Sequence, residues 1–277
     1  MSGITSRKGD DIAAEVTMMR SATRGPFVIV EGPTDERFFA PRLLSGCYVA
    51  IGSGRRTVED AAIRLDGSQV GLRDYIGVID EDYDWLIGYN VVSPNVIKTD
   101  PRDIEGLFFK SHGLDCVLAE YGDRNACQDF QRKNGQTILN AILLRAEPFG
   151  RIRMVNSAGP MVDIKSLKPQ RFFGRDWSYD MGEAVKVAVE LGVSDSVSNL
   201  RAAMSSLNPP DIWHCVRGHD MVDILVGGLL GVLGAKNVDT RGVERILRQS
   251  ISPEEFAQSL LYTRLKTWGD ANRSVVA

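Results

Sequence analysis

The sequence predicts an α/β fold, with a mainly parallel sheet flanked by helices and followed by a mostly helical C-terminal region. Three observations predict it. Phe27-Val28-Ile29-Val30 and Tyr75-Ile76-Gly77-Val78-Ile79 are short, continuous apolar runs, the pattern of strands buried on both faces. Such runs alternate with stretches of helical periodicity, an order that favours parallel strands joined by right-handed crossovers. Beyond residue 112 helical patterns take over.

Residues 1–25 read as a polar leader with a short helix at 12–21. The first strand, 27–30, stops at Glu31-Gly32-Pro33. Pro33 suits the first turn of a helix, where its missing N–H costs nothing, and that helix continues through Phe38, Phe39 and Leu43. A second strand covers 47–51 and Gly52-Ser53-Gly54 makes a turn. A helix at 57–65 follows, with Val58, Ala61, Ala62 and Leu65 on one face. The third strand, 75–79, ends on Asp80. A fourth is expected at 95–98 and a helix at 103–110. Further helices are expected at 126–145, 181–191, 197–206, 219–233, 240–249 and 253–265, whereas 151–177 reads as irregular and basic. These elements divide the chain into a leader (1–25), a sheet domain (26–112) and a helical domain (113–277). There is no internal repeat and no low-complexity tract.

The 277 residues suit one large domain or two modest ones, and 43% hydrophobic with 25% charged residues is an ordinary globular composition. A formal net charge of -3 excludes an overall basic footprint, so any contact with nucleic acid must be local or come through a metal or a partner. Residues 1–15 lack an apolar core, which predicts no secretory signal. The longest apolar run, 224–235, is shorter than the roughly 20 residues a bilayer needs and reads as a buried helix, also a candidate homodimer helix. Cys47, Cys116, Cys127 and Cys215 form neither a CxxC pair nor a zinc-like cluster, which fits a reducing cytoplasm.

Ligands of parallel sheets bind beyond the carboxyl ends of the strands, and Glu31 and Asp80 stand at two such ends. Alternate side chains of an extended segment share a face, so Asp80, Asp82 and Asp84 would project together if the chain stays extended. Three like charges so placed repel, and a divalent cation is the natural remedy. Oxygen-only donors favour Mg²⁺ or Mn²⁺, one or two ions. The competing reading makes these acids solvated turn residues, and makes Asp35 and Glu36 partners of a helix dipole. An EF-hand is excluded: its sixth position is Trp85 rather than Gly and its twelfth is Val91 rather than Glu. A haloacid-dehalogenase-like phosphatase using Asp80 and Asp82 is an alternative, but it leaves Glu31-Gly32-Pro33-Thr34-Asp35 unexplained. Gly52-Ser53-Gly54-Arg55-Arg56 lacks the GxxxxGK[ST] pattern, so no ATP site is visible.

Arg151, Arg153, Lys165, Lys168, Arg171 and Arg175 accompany Phe172, Phe173 and Trp177. Mixed basic and aromatic residues suit single-stranded or tRNA-like substrates, with Lys168, Arg171 and Arg175 as candidate contacts. The alternative, which the pattern alone favours, is a surface loop whose aromatics are buried. His112 reads as a helix end, and Trp213 and Trp268 as core or interface residues.

Two of these segments carry a resemblance. Val28-Ile29-Val30-Glu31-Gly32-Pro33-Thr34-Asp35 resembles the first Toprim motif, a hydrophobic strand, Glu-Gly, then an acid four residues on. Gly77-Val78-Ile79-Asp80-Glu81-Asp82-Tyr83-Asp84 resembles the second, Asp-x-Asp after a strand. Thr99-Asp100-Pro101-Arg102-Asp103-Ile104-Glu105 is similar to a third acidic motif of the overcoming-lysogenization-defect (OLD) nucleases, and Val216-Arg217-Gly218-His219-Asp220 to their late Gly-Lys motif. Together they resemble the stand-alone Toprim family encoded beside ABC-type ATPases, which includes the effector subunit of the PARIS anti-phage system.

The resemblance implies a metal-dependent endonuclease acting on DNA or tRNA, an antiviral effector controlled by an ABC-type ATPase. It implies metal ligands among Glu31, Asp35, Asp80, Asp82, Asp84 and Glu105, with Glu31 also the acid–base group. The late Lys is His219 here, with Arg217 beside it, so these two inherit the catalytic positive charge. The rival class is a non-catalytic Toprim-fold subunit that docks or regulates a partner.

Overall fold

The computed structural model describes residues 7–68 and 74–277; residues 1–6 of the expected leader lie outside them. In chain order the elements are α1 (Gly9–Met19), β1 (Phe27–Val30), α2 (Pro33–Phe39), β2 (Tyr48–Ile51), α3 (Arg55–Asp66), β3 (Tyr75–Ile79), α4 (Asp84–Ile87), β4 (Val96–Lys98) and α5 (Ile104–Lys110). They continue with α6 (Gly113–Tyr121), α7 (Arg124–Asn134), α8 (Ile138–Ala158), α9 (Met181–Glu190), α10 (Val197–Ser206), α11 (Ile212–Cys215), α12 (Gly218–Gly231), α13 (Thr240–Ser250), α14 (Pro253–Ala257) and α15 (Leu260–Ala271). The architecture is α/β followed by a helical region, as the sequence predicts.

The chain forms two compact units. A sheet unit holds the chain up to Glu81, residues 90–100 and residues 252–277. A helical unit holds residues 82–89 and 101–251. This differs from the expected division into 1–25, 26–112 and 113–277. The leader is part of the sheet unit, because Ile12 and Val16 of α1 are fully buried in one core with Val58, Ala61 and Leu65 of α3. The C-terminal helices also return to it. Phe256 packs edge-on against Phe38 at 5.4 Å, and Leu44 N–H donates to the Val275 carbonyl at 2.9 Å. Contacts across more than 200 residues leave no local trace in a sequence.

In the sheet unit all four strands are parallel, in the order β2-β1-β3-β4. Every residue of β1 and β3 is buried, which explains their unbroken apolar runs. Gly77 is required by close packing: a Cβ there would meet Val58 Cγ1 at 2.9 Å and Val96 Cγ2 at 3.1 Å.

In the helical unit three expectations change. The expected helix 126–145 is two helices, because Gly135 at φ +61° closes α7 and Thr137 caps α8 through the Asn140 N–H. The expected irregular stretch 151–177 begins well inside α8, so Arg151 and Arg153 are helical. Two of its three aromatics are core: Phe172 is buried, and Trp177 is fully buried with its indole N–H donating to the Ile224 carbonyl at 2.9 Å, while Phe173 is half-buried. The apolar face of α12 is covered within the unit, with Ile224, Leu225 and Leu229 fully buried. In the sheet unit the expected helix 253–265 likewise splits, since Ser259 caps α15. Among the described residues no helix is long and apolar enough to cross a membrane.

Candidate metal centre and the charged clusters

Glu31 and Asp80 each directly follow one of two neighbouring parallel strands; with Val30 opposite Val78, Glu31 lies one residue short of Asp80 along the pairing. Both side chains therefore start from one edge of the sheet unit, where the strands run out. The Asp80 N–H donates to Glu31 Oε1 at 2.8 Å. The Thr99 hydroxyl, just beyond β4, lies 3.2 Å from Asp80 Oδ1 and accepts the Glu81 N–H at 3.2 Å. Arg55 at the start of α3 reaches the Asp80 carbonyl at 3.5 Å. Arg264 Nη1 donates to the carbonyls of Lys98 and Thr99 at 2.7 and 2.9 Å, fixing the end of β4. Two half-buried carboxylates thus sit in a frame of backbone N–H, hydroxyl and guanidinium groups. Asp35 acts locally, since its Oδ2 accepts the Gly32 N–H at 2.9 Å and caps α2.

The extended continuation expected for Asp80, Asp82 and Asp84 does not form. Asp82 adopts φ +49°, and Asp84 opens α4 with its side chain buried. A left-handed residue reverses the two-residue alternation, so these three acids do not share a face as strand residues. Both Asp82 and Asp84 belong to the helical unit. There Arg102, buried over the Tyr83 ring at 4.4 Å, donates to Asp82 Oδ1 at 3.1 Å and to Asp103 Oδ2 at 2.6 Å. Asp103 also caps α5 through the Gly106 N–H and accepts the Gly218 N–H at 2.9 Å. Gly218 must be glycine, because a Cβ would meet Glu105 Cβ at 2.2 Å.

That close approach brings His219 to Glu105. The imidazole Nε2 lies 3.7 Å from Glu105 Oε1, and Nδ1 lies 3.5 Å from Glu244 Oε1. Glu244 foremost and Glu105 next push the His219 pKa up to about 9, against burial and the Arg217 charge. Glu244 is correspondingly held below the usual carboxylate range by His219. The late basic position is therefore an imidazolium between two carboxylates. Arg217, expected to share that charge, is the N-cap residue of α12. One residue past His219, Asp220 is buried and takes a two-pronged pair from Arg153, at 2.6 and 2.8 Å.

Lys168, Arg171 and Arg175 are exposed before, on and after a 3₁₀ turn at Pro169–Phe172. Arg151, expected in the same basic stretch, instead binds the Met204 and Leu207 carbonyls from α8. Sequence reading missed Thr99, Arg55, Arg102 and Glu244. Thr99 had a signal, since it ends the fourth strand. Glu244 had none, because only the packing of α12 on α13 brings it to His219.

Among the described residues, no group of three or more His, Cys, Asp or Glu side chains is gathered closely enough to hold a metal alone. The chain matches no known family model, and no curated protein matches it significantly.

Proposed function

We propose that the protein is a metal-dependent phosphodiesterase cleaving DNA or tRNA, with Glu31 and Asp80 as its metal ligands. One observation carries this reading: two carboxylates from the ends of adjacent parallel strands are coupled through the Asp80 N–H to Glu31 Oε1 bond at 2.8 Å. Carboxyl ends of parallel strands are where α/β sheets bind their ligands. The donor set fits Mg²⁺ or Mn²⁺. Such ions take oxygen ligands, keep several waters, and are commonly held by one or two carboxylates plus substrate phosphates. Two protein carboxylates therefore suffice without a third. Bound there, the ion would supply Lewis-acid activation of water and charge neutralisation at the phosphate.

The chain's own residues have definite roles in this reading. The Asp80 N–H orients Glu31, and the Thr99 hydroxyl orients Asp80. Glu31 would take the proton of the attacking water through its carboxylate. Asp35, Asp82, Asp84, Glu105, Arg217 and His219 remain proposed participants on the strength of the motif resemblance alone. The same resemblance supports an antiviral role and control by an ABC-type ATPase, whereas the isolated cysteines support a cytoplasmic location and the apolar run 224–235 a homodimer. Cleavage of plasmid DNA and total tRNA with Mg²⁺ or Mn²⁺ tests the reading. Wild type should cut and Glu31→Ala should not; equal cutting by purified, folded Glu31→Ala would reject it.

A further inference from the structure

The sheet unit contains a cavity of about 880 Å³ along the outer edge of β4, between α15 and the end of α3. Its volume lies within the range of sites for small organic ligands. The floor and walls are apolar: Leu65, Pro94, Ile97 and the flank of Trp268. Two opposite charges also line it, Asp66 and Arg264.

Each charge is anchored at a different end of β4. Asp66 Oδ1 accepts the Asn95 amide at 2.9 Å and the Tyr75 hydroxyl, and Asn95 Oδ1 in turn accepts the Trp268 indole N–H at 2.9 Å. Arg264 Nη1 is held by the Lys98 and Thr99 carbonyls at 2.7 and 2.9 Å and lies 4.0 Å from Glu81 Oε2. Asn95 and Lys98 are three strand residues apart, so the anchors stand roughly 10 Å apart. The second Asp66 oxygen, and Nε and Nη2 of Arg264, make no hydrogen bond among the described residues.

We infer that this cavity binds a purine nucleoside monophosphate. A carboxylate oxygen accepts N–H groups from the edge of a purine, the apolar strip covers its flat face, and a guanidinium held by carbonyls presents its remaining N–H groups to a phosphate. The site shares Arg264 with the frame around Glu31 and Asp80, through the Thr99 carbonyl, but includes neither carboxylate and needs no metal bound there.

Equilibrium dialysis of the full chain with GMP, guanosine and UMP tests it, without added metal. GMP should bind with a dissociation constant below about 1 mM, and guanosine and UMP each about tenfold or more weaker. Ala271→Trp, on the exposed rim, should weaken GMP by about tenfold or more through occlusion. Asp66→Asn, a near-isosteric change, should weaken GMP while leaving the melting temperature within about 2 °C. Absence of GMP binding at about 5 mM would overturn the inference. So would guanosine binding as tightly as GMP, or GMP binding untouched in both variants.

Discussion

The sheet unit and the helical unit handle buried charge differently. In the helical unit two buried carboxylates are matched by guanidinium groups, Asp220 by Arg153 at 2.6 Å and Asp103 by Arg102 at 2.6 Å, and a third, Glu105, faces the His219 imidazole. In the sheet unit the carboxylates Glu31 and Asp80 stand at strand ends, joined to each other through a backbone N–H and steadied by a threonine hydroxyl. A buried pair with good geometry locks a fold, because losing one partner strands the other. Two carboxylates set side by side at neighbouring strand ends have an arrangement suited to sharing a cation. Charges that build the protein stand apart here from the charges proposed to act.

The largest expected effect sharpens this contrast. Asp80→Ala should lower cleavage by about a thousandfold or more, the several kcal/mol a metal contributes, while costing no more than about 1 kcal/mol of stability. Asp220→Ala should do the reverse in stability, destabilising the helical unit by about 3–5 kcal/mol in urea unfolding, since Arg153 would remain buried and unpaired. If Asp80→Ala unfolded the chain and Asp220→Ala left it intact, the contrast would be broken.

A smaller effect comes from His219. Its folded pKa of about 9 exceeds the usual value near 6.5, so its contribution is fully present below pH 6.5 and is lost as pH rises through 9. The side chain is 46% exposed, which limits the effect to about 1 kcal/mol. Urea unfolding from pH 6 to 10 should show that decline in wild type and less of it in Glu244→Gln. Smallest is Asp223, pushed up to about 6 by burial first and Asp220 next. Its ionised form is disfavoured in the folded chain, so stability falls as pH rises from about 4 through 6. Asp223→Asn retains an acceptor for Gln170 and should raise stability at pH 7 by a few tenths of a kcal/mol. Unchanged stability in that variant would place the Asp223 carboxylate in a better-solvated setting.

The sheet was legible because its strands obey local rules. Residues 27–30 and 75–79 are apolar throughout, and the strands found there are buried throughout. Glu31 and Asp80 were legible for the same reason, as the first acids after those runs. The unit boundaries were not, because α1, α14 and α15 join the sheet unit through long-range packing. Nor was the turn at Asp82. Its positive φ interrupts a motif that, read as a strand, would align three acids. The basic stretch misled for another reason. Composition counts Arg153 as surface chemistry, whereas it is buried and hydrogen-bonded to the interior; buried Trp177 follows the favoured alternative of a loop with buried aromatics.

Mn²⁺ titration calorimetry reads out whether the strand-end pair Glu31 and Asp80 holds a divalent metal. Wild type should bind Mn²⁺, and Asp80→Ala and Glu31→Ala should each weaken binding by about tenfold or more. Asp223→Asn should bind like wild type. Equal Mn²⁺ affinity in wild type, Glu31→Ala and Asp80→Ala would contradict the account.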